Sequence, residues 1–242
     1  IAGSSWNKVL HDGVYVGALG GQLTQYKLFR NKVLVYNSEI FNCRRQGISL
    51  INGQVDVIDC TIHNISGTAP SAAIDIEPNS VNEYTDLYVK NLNAYDCDGG
   101  GINMYANYAS KIDGAVTNKL KYHKLRVEGF HYENTSPVNK YGLYFSYNEG
   151  VGRSGGFDGS IEINNVVLKN SSVYIVNWSE QNPRIEIDGL RVVNSESMSI
   201  EAIVKYTRSS GYLGDFNIGN FTMLNYELTS LGASYGVLIN DN

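Results

Sequence analysis

VYNSEIFN at 35–42, VIDCTIHN at 57–64, VKNLNAYD at 89–96, VEGFHYEN at 127–134, INNVVLKN at 163–170, IDGLRVVN at 187–194 and IGNFTMLN at 218–225 are seven copies of one pattern. Each opens on Val or Ile, carries Asn, Asp or Gly at its third place, and closes on Asn or Asp at its eighth. The third column is Asn37, Asp59, Asn91, Gly129, Asn165, Gly189 and Asn220, and the eighth is Asn42, Asn64, Asp96, Asn134, Asn170, Asn194 and Asn225. Successive copies start 22, 32, 38, 36, 24 and 31 residues apart, so the shortest step approximates a bare repeat and the longer ones carry loop insertions. A site for one ligand does not recur at a fixed offset along a chain, whereas a turn does; the two columns read as turns in which Asn and Asp tolerate the left-handed backbone.

A second short apolar or alternating run follows each copy: GISLI (47–51), AIDIE (73–77), GINMY (101–105), GLYFS (142–146), SVYIV (172–176), SIEAIV (199–204) and GVLIN (236–240). Strand, turn, strand and turn at intervals of twenty-odd residues or more predict a parallel β-helix of about seven or more coils with loop insertions, stacked about 4.8 Å apart. Alternation places Ile48 and Leu50, Ile74 and Ile76, Ile102 and Met104, Leu143 and Phe145, Val173 and Ile175, Ile200 and Ala202, and Val237 and Ile239 in the core. Their neighbours share one outward face. We expect one domain over residues 1–242, less regular over 1–30, and a piece of a longer chain, since the sequence starts at Ile1 and neither end reads as a polar cap.

Composition agrees. The 242 residues include 25 Gly, 18 Tyr and only 4 Pro, and the net charge is −5. These values argue against a helix bundle, a disordered chain and a basic nucleic-acid binder. No run of 18 apolar residues predicts membrane insertion. Cys43, Cys60 and Cys97 are an odd count, read as buried reduced thiols. No nucleotide-binding, serine-hydrolase or zinc motif occurs. His63 reads as turn packing; His123 and His131 lack ligand spacing, and His11 lies in the Gly-rich stretch HDGVYVGALGG.

Asp75 and Glu77 are the sharpest feature of the outward face. Two residues apart on a strand, they point the same way with Cα atoms roughly 6.6 Å apart. Carboxyl groups about 5 to 9.5 Å apart serve glycoside cleavage, one giving a proton to the leaving oxygen and the other activating water or attacking the sugar. Mutual repulsion raises one pKa and separates the roles. The alternative is two solvated surface carboxylates. The preceding coil brings Arg44, Arg45 and Gln46 near this pair, and the following ones bring Asn103, Tyr105 and Tyr144, a set suited to sugar hydroxyls and sugar-ring faces. A Ca²⁺ site built from Asp75 and Glu77 with Glu83 or Asp86 is a weaker option, and no metal or other cofactor is expected.

The stretch NCRRQGISLINGQVDVIDCTIHNISGTAPSAAIDIEPN (42–79) resembles the pectate-lyase-like right-handed parallel β-helix superfamily, within it the phage tailspikes and bacterial polysaccharide-directed proteins. The likeness covers about 38 residues closely and the rest through the repeat; Ala73 stands where Gly would be expected before Ile-Asp-Ile-Glu. It implies a right-handed β-helix, in tailspikes often a homotrimer, that acts on capsule, lipopolysaccharide or another cell-surface glycan from an extracellular or virion-surface position. The matching positions are Arg45, Gln46, Asp75 and Glu77. The polygalacturonase residue set is absent. Three functions follow as expectations: a depolymerase, hydrolase or lyase, using Asp75 and Glu77 with Arg44, Arg45, Gln46, Asn103, Tyr105 and Tyr144 on the substrate; a glycan-binding module without catalysis; or a structural fibre segment.

Overall fold

The structure, a computed structural model, describes residues 5–6, 11–17, 32–78, 84–105, 120–135, 141–147, 157–177, 184–193, 202–208, 216–224 and 235–241. Of the two longest loop insertions in the sequence, 107–123 and 153–160, residues 107–119 and 153–156 lie outside the described residues, as do Asn194 and Asn225 of the eighth column and Ile200 of the sixth expected core pair.

The described residues form strands and no helix: β1 (Ser5–Trp6), β2 (Val14–Val16), β3 (Lys32–Tyr36), β4 (Glu39–Phe41), β5 (Ile48–Leu50), β6 (Gly53–Ile65), β7 (Ile74–Ile76), β8 (Thr85–Cys97), β9 (Ile102–Tyr105), β10 (Leu120–Glu128), β11 (His131–Glu133), β12 (Tyr141–Tyr147), β13 (Phe157–Lys169), β14 (Ser172–Asn177), β15 (Arg184–Val193), β16 (Ala202–Arg208), β17 (Phe216–Ile218), β18 (Phe221–Leu224) and β19 (Tyr235–Asp241). They assort into two parallel sheets. The larger has eleven strands along the path β1-β4-β6-β8-β10-β13-β15-β17, with β3, β11 and β18 paired beside it; the smaller runs β2-β5-β7-β9-β12-β14-β16-β19.

The all-β class holds, but the expected right-handed parallel β-helix of about seven or more coils is corrected to this two-sheet architecture. The repeat specified sheet membership: the seven copies lie in the larger sheet and the second runs in the smaller. A uniform coil with one handedness did not follow from it, because the strands range from two residues to thirteen and the larger sheet takes some copies as one long strand and others as two. Even residues 1–30, expected to be less regular, supply β1 and β2 in register with β4 and β5.

The third column explains how a thirteen-residue strand keeps its core face. In β6, Val55 and Val57 are buried, then Cys60 and Ile62, so the period-two alternation slips by one residue at Asp59. That residue has φ 53°, and Asn37, Asn91, Gly129, Asn165 and Gly189 repeat the left-handed conformation at the same place. Each re-aims the chain so that the residues on both sides still face the same interior. Only Gly, and to a lesser degree Asn and Asp, enter this region cheaply, which is why the column uses those three. Side chains stack along it, Asn91 Nδ2 donating to Asp59 Oδ1 at 2.8 Å. In the eighth column Asn42, Asn64, Asp96 and Asn170 are also left-handed, and Asn64 Nδ2 donates to Asn42 Oδ1 at 3.4 Å.

The core between the sheets is one continuous apolar cluster. Its smaller-sheet side is the row expected from sequence for five of seven pairs, from Ile48 and Leu50 through Val173 and Ile175, each fully or almost fully buried. The sixth pair needs correction. Opposite Val173 and Ile175 stand Val204 and Tyr206, not Ile200 and Ala202, and these align with Val237 and Ile239. SIEAIV is apolar at several phases, so alternation alone did not fix its register. Cys43, Cys60 and Cys97 are buried free thiols.

Candidate functional site

β5, β7, β9, β12 and β14 lie side by side, and their register lines up Ser49, Asp75, Asn103, Tyr144 and Tyr174 in one row on the side away from the core residues. This row is not the open, solvated strip the alternation implied. Asp75 is 0% exposed, Ser49 likewise, and Asn103 2%. The surface-carboxylate reading of Asp75 is therefore excluded: it is a buried acid.

Its partners explain its state. Gln46 Nε2 donates to Asp75 Oδ2 at 2.6 Å, while Asp75 Oδ1 is buried without a hydrogen-bond partner. Burial, then the neighbouring Glu77 carboxylate, push the Asp75 pKa up to about 8; Arg45 opposes this and Asp12 adds to it. A carboxyl group cut off from water holds its proton because the charged form loses most on desolvation. Burial and the Glu77 carboxylate thus favour the protonated form of Asp75. Arg45 stands between two carboxylates, 3.9 Å from Glu77 and 3.8 Å from Asp12. Arg45 is 36% exposed and Glu77 26%, so this charged pair is the part of the cluster that meets solvent.

Asp12 was not found from the sequence. Burial raises its pKa, against the lowering effects of Arg45 and His11. The signal lay in HDGVYVG: VYV is a short alternating strand like ISL and IDI, and the Gly13 N–H donates to the Gln46 carbonyl, which places Asp12 level with Gln46. The aromatic part also extends further than Tyr105 and Tyr144. Their rings are 5.2 Å apart, Tyr144 lies 5.5 Å from Tyr174, and Tyr141 stacks within 5.9 Å of Tyr144 and 4.9 Å of Tyr174. Burial is the main cause of a raised pKa at Tyr105, with Tyr144, Asp75 and Glu77 adding to it, which places this ring against the acid cluster.

Of the sequence candidates, the structure brings together Arg45, Gln46, Asp75, Glu77, Asn103, Tyr105 and Tyr144. Asn103 is held by its amide, Nδ2 donating to the Gly99 carbonyl at 3.0 Å. Arg44 is elsewhere: it lines a hollow of about 500 Å³ with Asn42, Cys43, Asn64, Ser66 and Asp96, beside the eighth column. Adjacent residues on a strand or its flank point to opposite sides, so Arg44 and Arg45 divide.

The calcium option loses a ligand. Asp86 belongs to β8 of the larger sheet, accepts a hydrogen bond from Tyr84 and pairs with Arg126 at 3.7 Å. Glu83 lies outside the described residues. Among the described residues no group of three or more His, Cys, Asp or Glu is arranged to hold a metal ion, and no helix is long and apolar enough to cross a membrane. His63 stacks between Phe41 and Tyr95, with centroids at 5.1 and 4.7 Å, and its Nε2 lies 3.0 Å from Glu39. No protein-family model, curated protein or solved structure matches the chain.

Proposed function

We propose that the chain is a polysaccharide depolymerase domain that hydrolyses a bacterial cell-surface glycan, with Asp75 as the acid and Glu77 as the base or nucleophile. The observation that carries this reading is the buried, proton-holding Asp75 two residues from a solvent-reaching, Arg-paired Glu77, beside four tyrosines. Glycoside hydrolysis asks for two carboxyl groups in opposite protonation states at one pH. Gln46 holds one oxygen of Asp75, leaving Oδ1 to carry the proton to a glycosidic oxygen. Arg45 holds Glu77 and offers its guanidinium to acidic or hydroxyl groups. The tyrosines offer ring faces for the apolar sides of sugars. Because Asp75 is closed off, delivery of its proton requires the groups that cover it to move aside when a sugar enters.

That closure favours a second reading, a glycan-binding module that uses Arg45, Glu77 and the tyrosines without cleavage. Incubation with a panel of capsular and lipopolysaccharide glycans separates the two. Under the first reading wild-type protein releases reducing ends, and Asp75→Asn and Glu77→Gln each lower the rate by about 100-fold or more while binding persists. Release unchanged from wild type in both variants contradicts it; binding with no release in the wild type gives the second reading; unsaturated products would assign elimination instead.

A further inference from the structure

The larger sheet carries a hollow of about 530 Å³ over β8 and β11, on the opposite sheet from the acid cluster. Its origin is a break in the third column. Asp59 and Asn91 stack side chain on side chain, but the next position is Gly129, left-handed at φ 67° and without a side chain. A Cβ built on Gly129 would stand 2.8 Å from Asn91 Oδ1, so the glycine sits against that oxygen without stacking a side chain on it. An aromatic row ends at the same level. Phe41, His63 and Tyr95 stack along paired strands, and the position that follows Tyr95 in register is Glu133. Glu133 is drawn toward Lys169 on the far side, an ion pair across to β13. His131, exposed, stands in register with Asn93.

The hollow thus combines an aromatic wall at Tyr95 with an amide carbonyl at its base, a second amide at Asn93, an imidazole at His131 and a carboxylate already neutralised by Lys169. Its volume is in the usual range for small-molecule sites. A flat apolar face edged by several uncharged hydrogen-bonding groups matches a pyranose ring, which has an apolar C–H face and a rim of hydroxyls. We infer that this hollow is a binding site for one neutral sugar unit, held against Tyr95 and hydrogen-bonded by Asn91, Asn93 and His131, separate from the acid cluster on the other sheet. The inference shares with the proposed function only the class of ligand; it needs no catalysis at Asp75.

Gly129→Asn tests it without threatening the fold, because Asn is the residue the column uses at this backbone conformation and only the movable end of Asn91 must give way. Saturation-transfer NMR is run with methyl α-glucopyranoside, methyl α-galactopyranoside, methyl α-mannopyranoside, methyl α-rhamnopyranoside and N-acetylglucosamine, on wild type, Gly129→Asn, Tyr95→Ala and Asp75→Asn, each checked for native circular dichroism. The expected result is ring-proton saturation of at least one sugar by the wild type, reduced at least fivefold in Gly129→Asn and retained in Asp75→Asn; Tyr95→Ala reduces it likewise if it keeps the native spectrum. The inference is overturned if no sugar is saturated by the wild type, if the signal survives in Gly129→Asn, or if it is lost in Asp75→Asn. The last two outcomes leave the depolymerase reading standing, and an inactive wild type that still shows the Gly129-dependent signal defeats that reading alone.

Discussion

Asp75 and His123 are two buried titratable groups that pull stability in opposite directions with pH. Asp75 has its folded pKa raised to about 8 from the ordinary 3.8, so the folded chain binds more protons than the unfolded chain between those values; its contribution is full below about 3.8 and is lost as pH rises through about 8. His123 is completely buried, its Nδ1 2.6 Å from Thr85 Oγ1, and burial lowers its pKa from 6.5 to about 3. Here the folded chain binds fewer protons, so stability is full above 6.5 and is lost as pH falls toward 3. Melting temperatures measured from pH 4 to 9 test both. Asp75→Asn is expected to flatten the alkaline decline, and His123→Gln to flatten the acid one while lowering the melting temperature at pH 7. An unchanged alkaline limb in Asp75→Asn would show that the carboxyl is ionised in the folded protein at neutral pH. The sequence gives Asp75 a charged neighbour at the right spacing, but its burial depends on Gln46 from 29 residues earlier and Asp12 from the N-terminal stretch, partners that no local pattern brings to it.

Among the elements, the left-handed columns were the most readable feature and register the least. Six of the seven third-column positions have positive φ, and the seventh, Asn220, instead donates its backbone N–H and Nδ2 to Asp188. Position in an eight-residue pattern was enough to predict this because few residue types enter that backbone region. Asn91→Ala is accordingly expected to destabilise the fold by about 1–3 kcal/mol, from left-handed strain and the lost bond to Asp59. Asn91→Gly should recover the backbone part, a difference readable in urea titration; equal losses would mean that the side-chain ladder alone matters. A second element-level constraint is the row Gly13, Gly47, Gly101 and Gly142. A Cβ at Gly47 would come 2.5 Å from both the Ala73 carbonyl oxygen and Ile62 Cγ2, so Gly47→Ala should lower the melting temperature, at a cost of about 1–3 kcal/mol. By contrast, β16 slid four residues from its expected register: its apolar residues satisfy more than one phase, and its partners in β14 and β19 decide.

At the scale of the molecule, the repeat specified which segments share a sheet, and the two sheets enclose a core of Val, Ile and Leu with few polar intrusions. On the outer side of β5, β7 and β9, Ser49, Asp75 and Asn103 are buried beside Gln46. Asp12, Gln46, Ser49, Asp75 and Asn103 each have a buried oxygen with no hydrogen-bond partner, five of the seven such residues among those described. Unsatisfied buried oxygens cost stability, and a fold that keeps several together retains them for a ligand or a proton. The sequence showed the carboxylates and the tyrosines of this region but not its closure, since alternation distinguishes inward from outward and says nothing about whether the outward side is covered. The proposed hydrolysis turns on Asp75 being a neutral acid in that enclosure. Side-chain carboxyl ¹³C NMR, with the Asp75 resonance assigned by its loss in Asp75→Asn, titrates this group directly: a midpoint near pH 8 is the predicted result, and a midpoint near pH 4 would contradict it.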